Sequence, residues 1–378
     1  MAVCRWPNGA VMRVAVLWSR LSGYFVDCLT ELASRGVELL IVHWPAEASA
    51  PFAFCDSDLP GTRYLRTDID RLGRLEDLLR KFDPDAALVS GWMDWLYIRT
   101  ALVLRRRGVV VVGGIDNQWR AHSKQVIGAM CAGWVLRRVF SALWVPGERA
   151  EQFARRLGFR GVRLWRGLYC GASKKFRAAG EVRAREWFGR GEWPRRFVFV
   201  GRYEDVKGVP ELLEAYAKYR ELCSEPWELW CAGHGSLKPL VSAARGVRDL
   251  GFVQPSGLPS VLADSGCFVL PSRKEGWVVA LLEGAASGLP VICSDACGSH
   301  VELVREGFNG WVVRAGDAAG LAAAMVRVSS MSPKELSEFG KRSADLAAAY
   351  TPERWAEYFV EKYSELASSR RRSGRIAG

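Results

Sequence analysis

Two stretches of this chain combine residue types that hold phosphate and hydroxyl groups. In Phe197-Val-Phe-Val-Gly-Arg-Tyr-Glu-Asp-Val-Lys-Gly, an apolar strand-like run leads into Gly201-Arg202, and Lys207-Gly208 opens a helix. Glycine lets the backbone approach a ligand, and Arg202 and Lys207 add two cations near a helix N-terminus. That is the chemistry of a diphosphate site. The competing reading is a surface loop with two solvated cations. The second stretch runs from Pro271-Ser-Arg-Lys-Glu-Gly-Trp-Val to Ser294-Asp295. Glu275 follows an apolar strand, and Gly276, Trp277 and Val278 begin a helix whose first amides suit phosphate oxygens. Glu283 lies eight residues after Glu275, inside an apolar run. A carboxylate there needs hydrogen-bond partners, because burying it unpaired is costly. Two adjacent sugar hydroxyls would supply them; the alternative is a partly exposed residue on an amphipathic helix.

The first half offers a different set. Gly113-Gly-Ile-Asp-Asn-Gln-Trp-Arg-Ala-His follows a strand, so Asp116 and His122 are candidates for positioning a second substrate or taking its proton. A turn aspartate and a helix histidine are the plain alternatives. Three Asp-x-Asp triplets, at Asp56/Asp58, Asp68/Asp70 and Asp83/Asp85, read as turns and solvated faces, so no metal site is expected. Cys293 and Cys297 lack a second Cys or His pair at zinc spacing. The ten cysteines follow no framework spacing and several lie in apolar strand-like runs, as buried thiols in a reducing cytoplasm would.

The elements that must position these residues alternate regularly. Apolar runs at Met12–Leu17, Val37–His43, Ala86–Ser90, Val109–Gly113 and Ala142–Val145 are separated by helical stretches. The same grammar restarts with Phe197–Val200, Glu228–Ala232, Cys267–Leu270 and Pro290–Ser294. This is the pattern of doubly wound parallel sheets, whose ligands sit beyond the carboxyl ends of the strands. The length of 378 residues suits two such domains, facing a cleft. We expect an α/β protein with a first Rossmann-like domain over 1–170 and a second over 171–350. A helix over 351–367, opened by Thr351-Pro352-Glu353, would cross back to the first domain, and a basic disordered tail would occupy 368–378.

Charge divides the halves. The chain carries a formal +12; residues 1–190 hold 30 basic and 18 acidic side chains, and residues 191–378 hold 23 of each. The excess lies away from the diphosphate motif and points to an anionic partner of the first half. Arginines such as Arg105, Arg106, Arg107, Arg137 and Arg138 close helices, which explains some of them. Trp92, Trp95 and Trp134 nearby suit either a core or an anionic membrane surface. Neither a bilayer-spanning apolar run nor a secretory signal is evident, so a cytoplasmic location, peripheral on the membrane's inner face, is expected.

The ordered combination of motifs resembles the large family of retaining GT-B glycosyltransferases, group 1 or family 4 type. Glu275…Glu283 looks like its E-x7-E motif, and Gly201-Arg202…Lys207-Gly208 like its diphosphate motif. Gly233-His-Gly-Ser, Gly251-Phe-Val, Ser294-Asp-Ala-Cys-Gly-Ser-His-Val-Glu302 and Asn309-Gly310 continue the likeness over about Phe197–Asp317. Cys297 stands where the family has a glycine.

The resemblance implies a metal-independent transfer of a sugar from a nucleotide-sugar donor, used as substrate without a cofactor, to a glycan or lipid-linked acceptor in surface polysaccharide or glycolipid synthesis. Arg202 and Lys207 would hold the diphosphate, and Glu283 the ribose. Glu275 would contact the donor sugar, and the amides of Gly276, Trp277 and Val278, with Gly201 and Gly233, would line the donor site. The rivals are a GT-B sugar-nucleotide epimerase or phosphorylase and a basic nucleic-acid-binding protein. No nucleic-acid partner is expected, because the chain has no RNP-like or zinc-finger pattern.

Overall fold

The computed structural model describes residues 11–45, 59–69, 71–119 and 123–376. The chain divides into two compact units. The first comprises the described residues up to 169 together with those from 352 onward; the second spans 170–351.

The first unit is a seven-stranded sheet in the order β3-β2-β1-β4-β5-β6-β7. Its strands are β1 (Arg13–Arg20), β2 (Glu38–Trp44), β3 (Thr62–Leu65), β4 (Ala86–Ser90), β5 (Val110–Gly114), β6 (Ala142–Val145) and β7 (Leu164–Arg166). Every pairing is parallel. The central strands are buried on both faces, which is why they read as unbroken apolar runs. Helices α1 (Gly23–Ser34), α2 (Leu72–Phe82), α3 (Trp95–Arg106), α4 (Ser123–Val139) and α5 (Glu148–Arg156) connect them.

Strand β1 runs three residues beyond the expected Leu17, with a register shift between Trp18 and Arg20. The short edge strands β3 and β7 carry arginine and alternate poorly, so the sequence gives no strand signal there.

The second unit holds six parallel strands in the order β10-β9-β8-β11-β12-β13. They are β8 (Arg196–Val200), β9 (Glu228–Ala232), β10 (Val247–Gly251), β11 (Cys267–Leu270), β12 (Val291–Ser294) and β13 (Gly310–Val313). The helices are α6 (Lys174–Glu186), α7 (Val209–Leu222), α8 (Lys238–Ala243), α9 (Leu258–Ala263), α10 (Val279–Ala286), α11 (His300–Leu303), α12 (Ala318–Ser329) and α13 (Pro333–Ala347). Ser332 and Glu335 form a reciprocal capping box on α13.

Arg183 of α6 is almost wholly buried, with the Asp264 carboxylate as a favourable neighbouring charge. Its guanidinium donates to the carbonyls of Ser265 and Leu262 after and within α9, and of Ser287 and Gly288 after α10. The charge is thus held by carbonyls at two helix C-termini, where a cation is favoured. Burial pushes its pKa down to about 9, which still leaves it cationic at neutral pH.

The last helix, α14 (Pro352–Ile376), packs on α1. Trp355 stacks on Trp144 with ring centroids 4.7 Å apart and donates Nε1 to the Leu168 carbonyl at 2.9 Å. Trp144, Trp165 and Trp355 are therefore core residues. The helix runs to Ile376, beyond the 367 expected from the sequence: Ser368–Ile376 contains no proline, and its arginines are good helix formers.

Candidate functional site

In the second unit, the motif residues gather at the carboxyl ends of β8, β9 and β11. The loop after β8 is fixed by its backbone: Gly201 N–H donates to Ala232, and Tyr203 N–H to His234. Gly233 is required by close approach, since a Cβ there would lie 1.9 Å from the Gly201 carbonyl oxygen. The Tyr203 hydroxyl donates to Asp249 Oδ1 at 2.8 Å, and Asp249 also accepts from Gly251 N–H and Ser242. Burial alone would raise the Asp249 pKa, but these hydrogen bonds hold it below the usual aspartate value. The exposed His234 thus contributes its carbonyl to this scaffold.

The loops after β8 and β11 are zipped together. Gly208 has φ 71°, and a Cβ on it would meet the Pro271 carbonyl oxygen at 2.0 Å, so only glycine fits. Arg273 N–H donates to the Val206 carbonyl at 2.9 Å. The Arg273 side chain pairs with Glu211 on α7, whose carboxylate is buried. Across this seam Lys207 Nζ pairs with Glu275 Oε1, which also accepts from Ser272 Oγ at 3.1 Å. Both partners are mostly shielded, at 16% and 14% side-chain exposure. Arg202 is more open and bonds Glu204 at 3.0 Å. Two candidate donor-binding groups, 68 residues apart, thus form one ion pair.

The neighbouring turn is also ordered. Gly276 accepts from Gly298 N–H at 2.9 Å, and Trp277 Nε1 donates to Glu302 at 3.2 Å. The Val278 amide donates to Ser299 Oγ at 3.2 Å, so this amide, expected to face a ligand, already has an internal acceptor. Glu283 is half-buried on α10, close to Gly171. Cys297 is fully buried against the Leu270 carbonyl, and burial pushes its thiol up to about 11, so it is an inert packing group. Glu211, Ser272, Arg273 and Ser299 carry no signal of their own in the sequence; Ser272 is marked by its bond to Glu275, Arg273 and Glu211 by their ion pair across the seam, and Ser299 by its bond to Val278.

In the first unit, Asp116 is exposed just beyond β5 and accepts from the Tyr169 hydroxyl at 3.1 Å. Burial, then Tyr24 and Asp116, keep Tyr169 protonated. His122, Asp56, Asp58 and Asp70 lie outside the described residues. Asp83 and Asp85 hold the fold together, since Arg13 donates its side chain to Asp83 at 2.9 Å and its backbone N–H to Asp85 at 2.8 Å. Asp83 takes the left-handed conformation that ends α2.

Two parallel doubly wound sheets, with motif residues at the strand ends, define the GT-B glycosyltransferase fold. Residues 194–330 match the family model Glycosyl transferases group 1. The curated relatives include phosphatidyl-myo-inositol mannosyltransferase of Mycobacterium leprae, 33% identical over 34% of this chain and 36% of the relative. Another is the amylovoran biosynthesis glycosyltransferase AmsK of Erwinia amylovora, 32% identical over 36% of each chain. The matches therefore span about a third of these relatives. Among solved structures, sucrose-phosphate synthase of Thermosynechococcus elongatus is similar with TM-score 0.71 at 17% identity, covering 95% of this chain and 100% of that one. Anabaena HepE, solved with UDP and glucose, has TM-score 0.67 at 16% identity over 94% and 100%.

Proposed function

We propose that this protein is a retaining, metal-independent glycosyltransferase that moves a sugar from a nucleotide-sugar donor to a glycan or lipid-linked acceptor. The carrying observation is the seam at which Lys207, on the same loop after β8 that carries Arg202, meets Glu275. It gathers cations and a carboxylate at the strand ends where open α/β sheets bind ligands. The relatives in mannosyl transfer and amylovoran synthesis, and a neighbour solved with UDP and glucose, support the reading.

In this reading, the bond between the sugar's anomeric carbon and the phosphate oxygen breaks, and its electron pair stays on the diphosphate. Arg202 and Lys207 stabilise that charge, which fixed cations do well in a shielded site. The acceptor oxygen bonds to the anomeric carbon from the face the diphosphate leaves, and the acceptor's proton passes to the leaving phosphate oxygen. Glu275 orients the donor sugar's hydroxyls, Glu283 holds the ribose, and Gly201, Gly233, Gly276 and Trp277 line the site. Asp116 and His122 position the acceptor. The basic first half engages an anionic acceptor or the inner membrane surface that carries it.

A thermal-shift panel of UDP, GDP, ADP and their sugars tests the donor. Stabilisation by one nucleotide and its sugar is expected; no shift with any of them overturns the reading. Product NMR reports retention through the anomeric coupling, and undiminished turnover with excess chelator reports metal independence.

A further inference from the structure

The seam between the loops after β8 and β11 holds two ion pairs. The β8 loop and the first turn of α7 supply Lys207 and Glu211; the β11 loop supplies Arg273 and Glu275. Lys207 pairs with Glu275 and Arg273 with Glu211, so the cation of each segment meets the anion of the other. Between the two pairs the backbones touch: the Val206 carbonyl accepts from the amides of Arg273 at 2.9 Å and Lys274 at 3.4 Å.

The pairs differ in what parting them would cost. Lys207 and Glu275 keep 16% and 14% side-chain exposure, against 7% for Glu211. Glu275 Oε1 also accepts from Ser272, so it keeps a partner without the ammonium. This pair is free to open toward a ligand that offers an anion to Lys207 and hydroxyls to Glu275. Glu211 has no such reserve. Arg273 gives both Nε and Nη2 to its Oε1, and Oε2 is buried with no hydrogen-bond partner. Arg273 is thus the carboxylate's one side-chain partner among the described residues, and parting them leaves a buried charge unpaired, a strongly destabilising state. Glu211 also stands in the first turn of α7, where a negative charge is favoured. The Glu211–Arg273 pair is therefore the one that stays closed.

We propose that Glu211 and Arg273 are positioning residues for the donor site. Their pair pins the two loops when a diphosphate draws Lys207 away from Glu275, and so it fixes where the ammonium and the carboxylate stand in the donor-bound state. The donor-bound half of this statement rests on the glycosyltransferase reading; the pinning of the loops does not.

The test has two arms, both on the full chain. The first is amide hydrogen exchange of the free protein over residues 203–208 and 271–276. Glu211→Met with Arg273→Met removes the pinning pair without stranding a charge, a swap that is often neutral for stability. It should speed exchange of the seam about tenfold or more while β8 and β11 stay protected. Lys207→Ala should speed it far less. The second arm is calorimetry with UDP, GDP and ADP on the parent, Lys207→Ala, the methionine pair and all three substitutions together. The methionine pair should raise the nucleotide Kd about tenfold when Lys207 is present and less than about twofold when it is absent, because the pair acts through that ammonium. A merely structural pair would raise it by the same factor on both backgrounds. Glu211→Gln leaves the half-exposed Arg273 solvated and replaces the methionine pair if that variant misfolds; its effects should have the same signs. Equal factors on both backgrounds, unchanged seam exchange without the pinning pair, or a larger opening in Lys207→Ala overturns the proposal. Failure of every nucleotide to bind the parent, with seam exchange as expected, would instead remove the donor reading and leave the pinning of the loops standing.

Discussion

At the residue scale, the pairing of Lys207 with Glu275 sets what a ligand must do. The ammonium is shared with a carboxylate at low exposure; in the proposed function a donor diphosphate would compete for it while the sugar's hydroxyls would take up Glu275. Removing either partner leaves the other charge shielded and unpaired, which is the costly state. Lys207→Ala is therefore expected to lower kcat/KM by about 10²–10³, the usual loss for one group stabilising charge in the transition state. Glu283→Ala should raise the nucleotide Kd, in calorimetry, while leaving the melting temperature near that of the parent. An unchanged Kd would remove Glu283 from the ribose role. The residue types at 202, 207, 275 and 283 were legible from spacing and chemistry. Their pairing was not: Lys207 and Glu275, like Glu211 and Arg273, meet only because β8 and β11 are neighbours in the sheet. The Val278 amide shows the converse, a group expected to face a ligand whose acceptor, Ser299, comes from a segment 21 residues on.

At the element scale, the strands that alternate with amphipathic helices were readable because burial on both faces demands continuous apolar runs. The edge strands β3 and β7 escape that logic, since one side of an edge is unpaired and tolerates arginine. Arg183 was equally unreadable, because its partners are backbone carbonyls, which no side-chain pattern encodes. It ties the ends of α9 and α10 to α6. Arg183→Met keeps volume but leaves buried acceptors unsatisfied at about 1–3 kcal/mol each. A fall in melting temperature on the order of 10 °C is expected in calorimetry. The Asp249 cluster adds a pH term. Its pKa is lowered in the folded state, so its contribution is full above the ordinary value of 3.8 and is lost as pH falls through the lowered one. Denaturant melts across an acid pH series should show a shallower stability loss in Asp249→Asn than in the parent.

At the scale of the whole molecule, the charge asymmetry has a structural counterpart in the first unit. Much of its tryptophan is core, as Trp144, Trp165 and Trp355 show. Met93, Trp95 and Trp134 instead stand 90%, 69% and 58% exposed, too open to serve packing. Arg99 lies over Trp95 at 5.7 Å and Arg138 over Trp134 at 3.1 Å, so the exposed rings are coupled to cations. Among the described residues no helix is long and apolar enough to cross a membrane. Under the proposed contact with a membrane, these indoles would sit at the headgroup level and the arginines on anionic lipid, each arginine worth about 1 kcal/mol near the surface. The attraction is coulombic at its outer range and must weaken as salt shortens the screening length from about 10 Å at 0.1 M toward 3 Å at 1 M. Flotation with phosphatidylserine-containing vesicles should recover the protein at low salt and much less at 1 M, with neutral vesicles recovering little at either. Trp95→Ala combined with Trp134→Ala should reduce recovery at low salt without changing nucleotide binding. Absence of flotation under every condition would assign the basic excess to a dissolved anionic acceptor, and the same variants would then leave turnover on such an acceptor untouched.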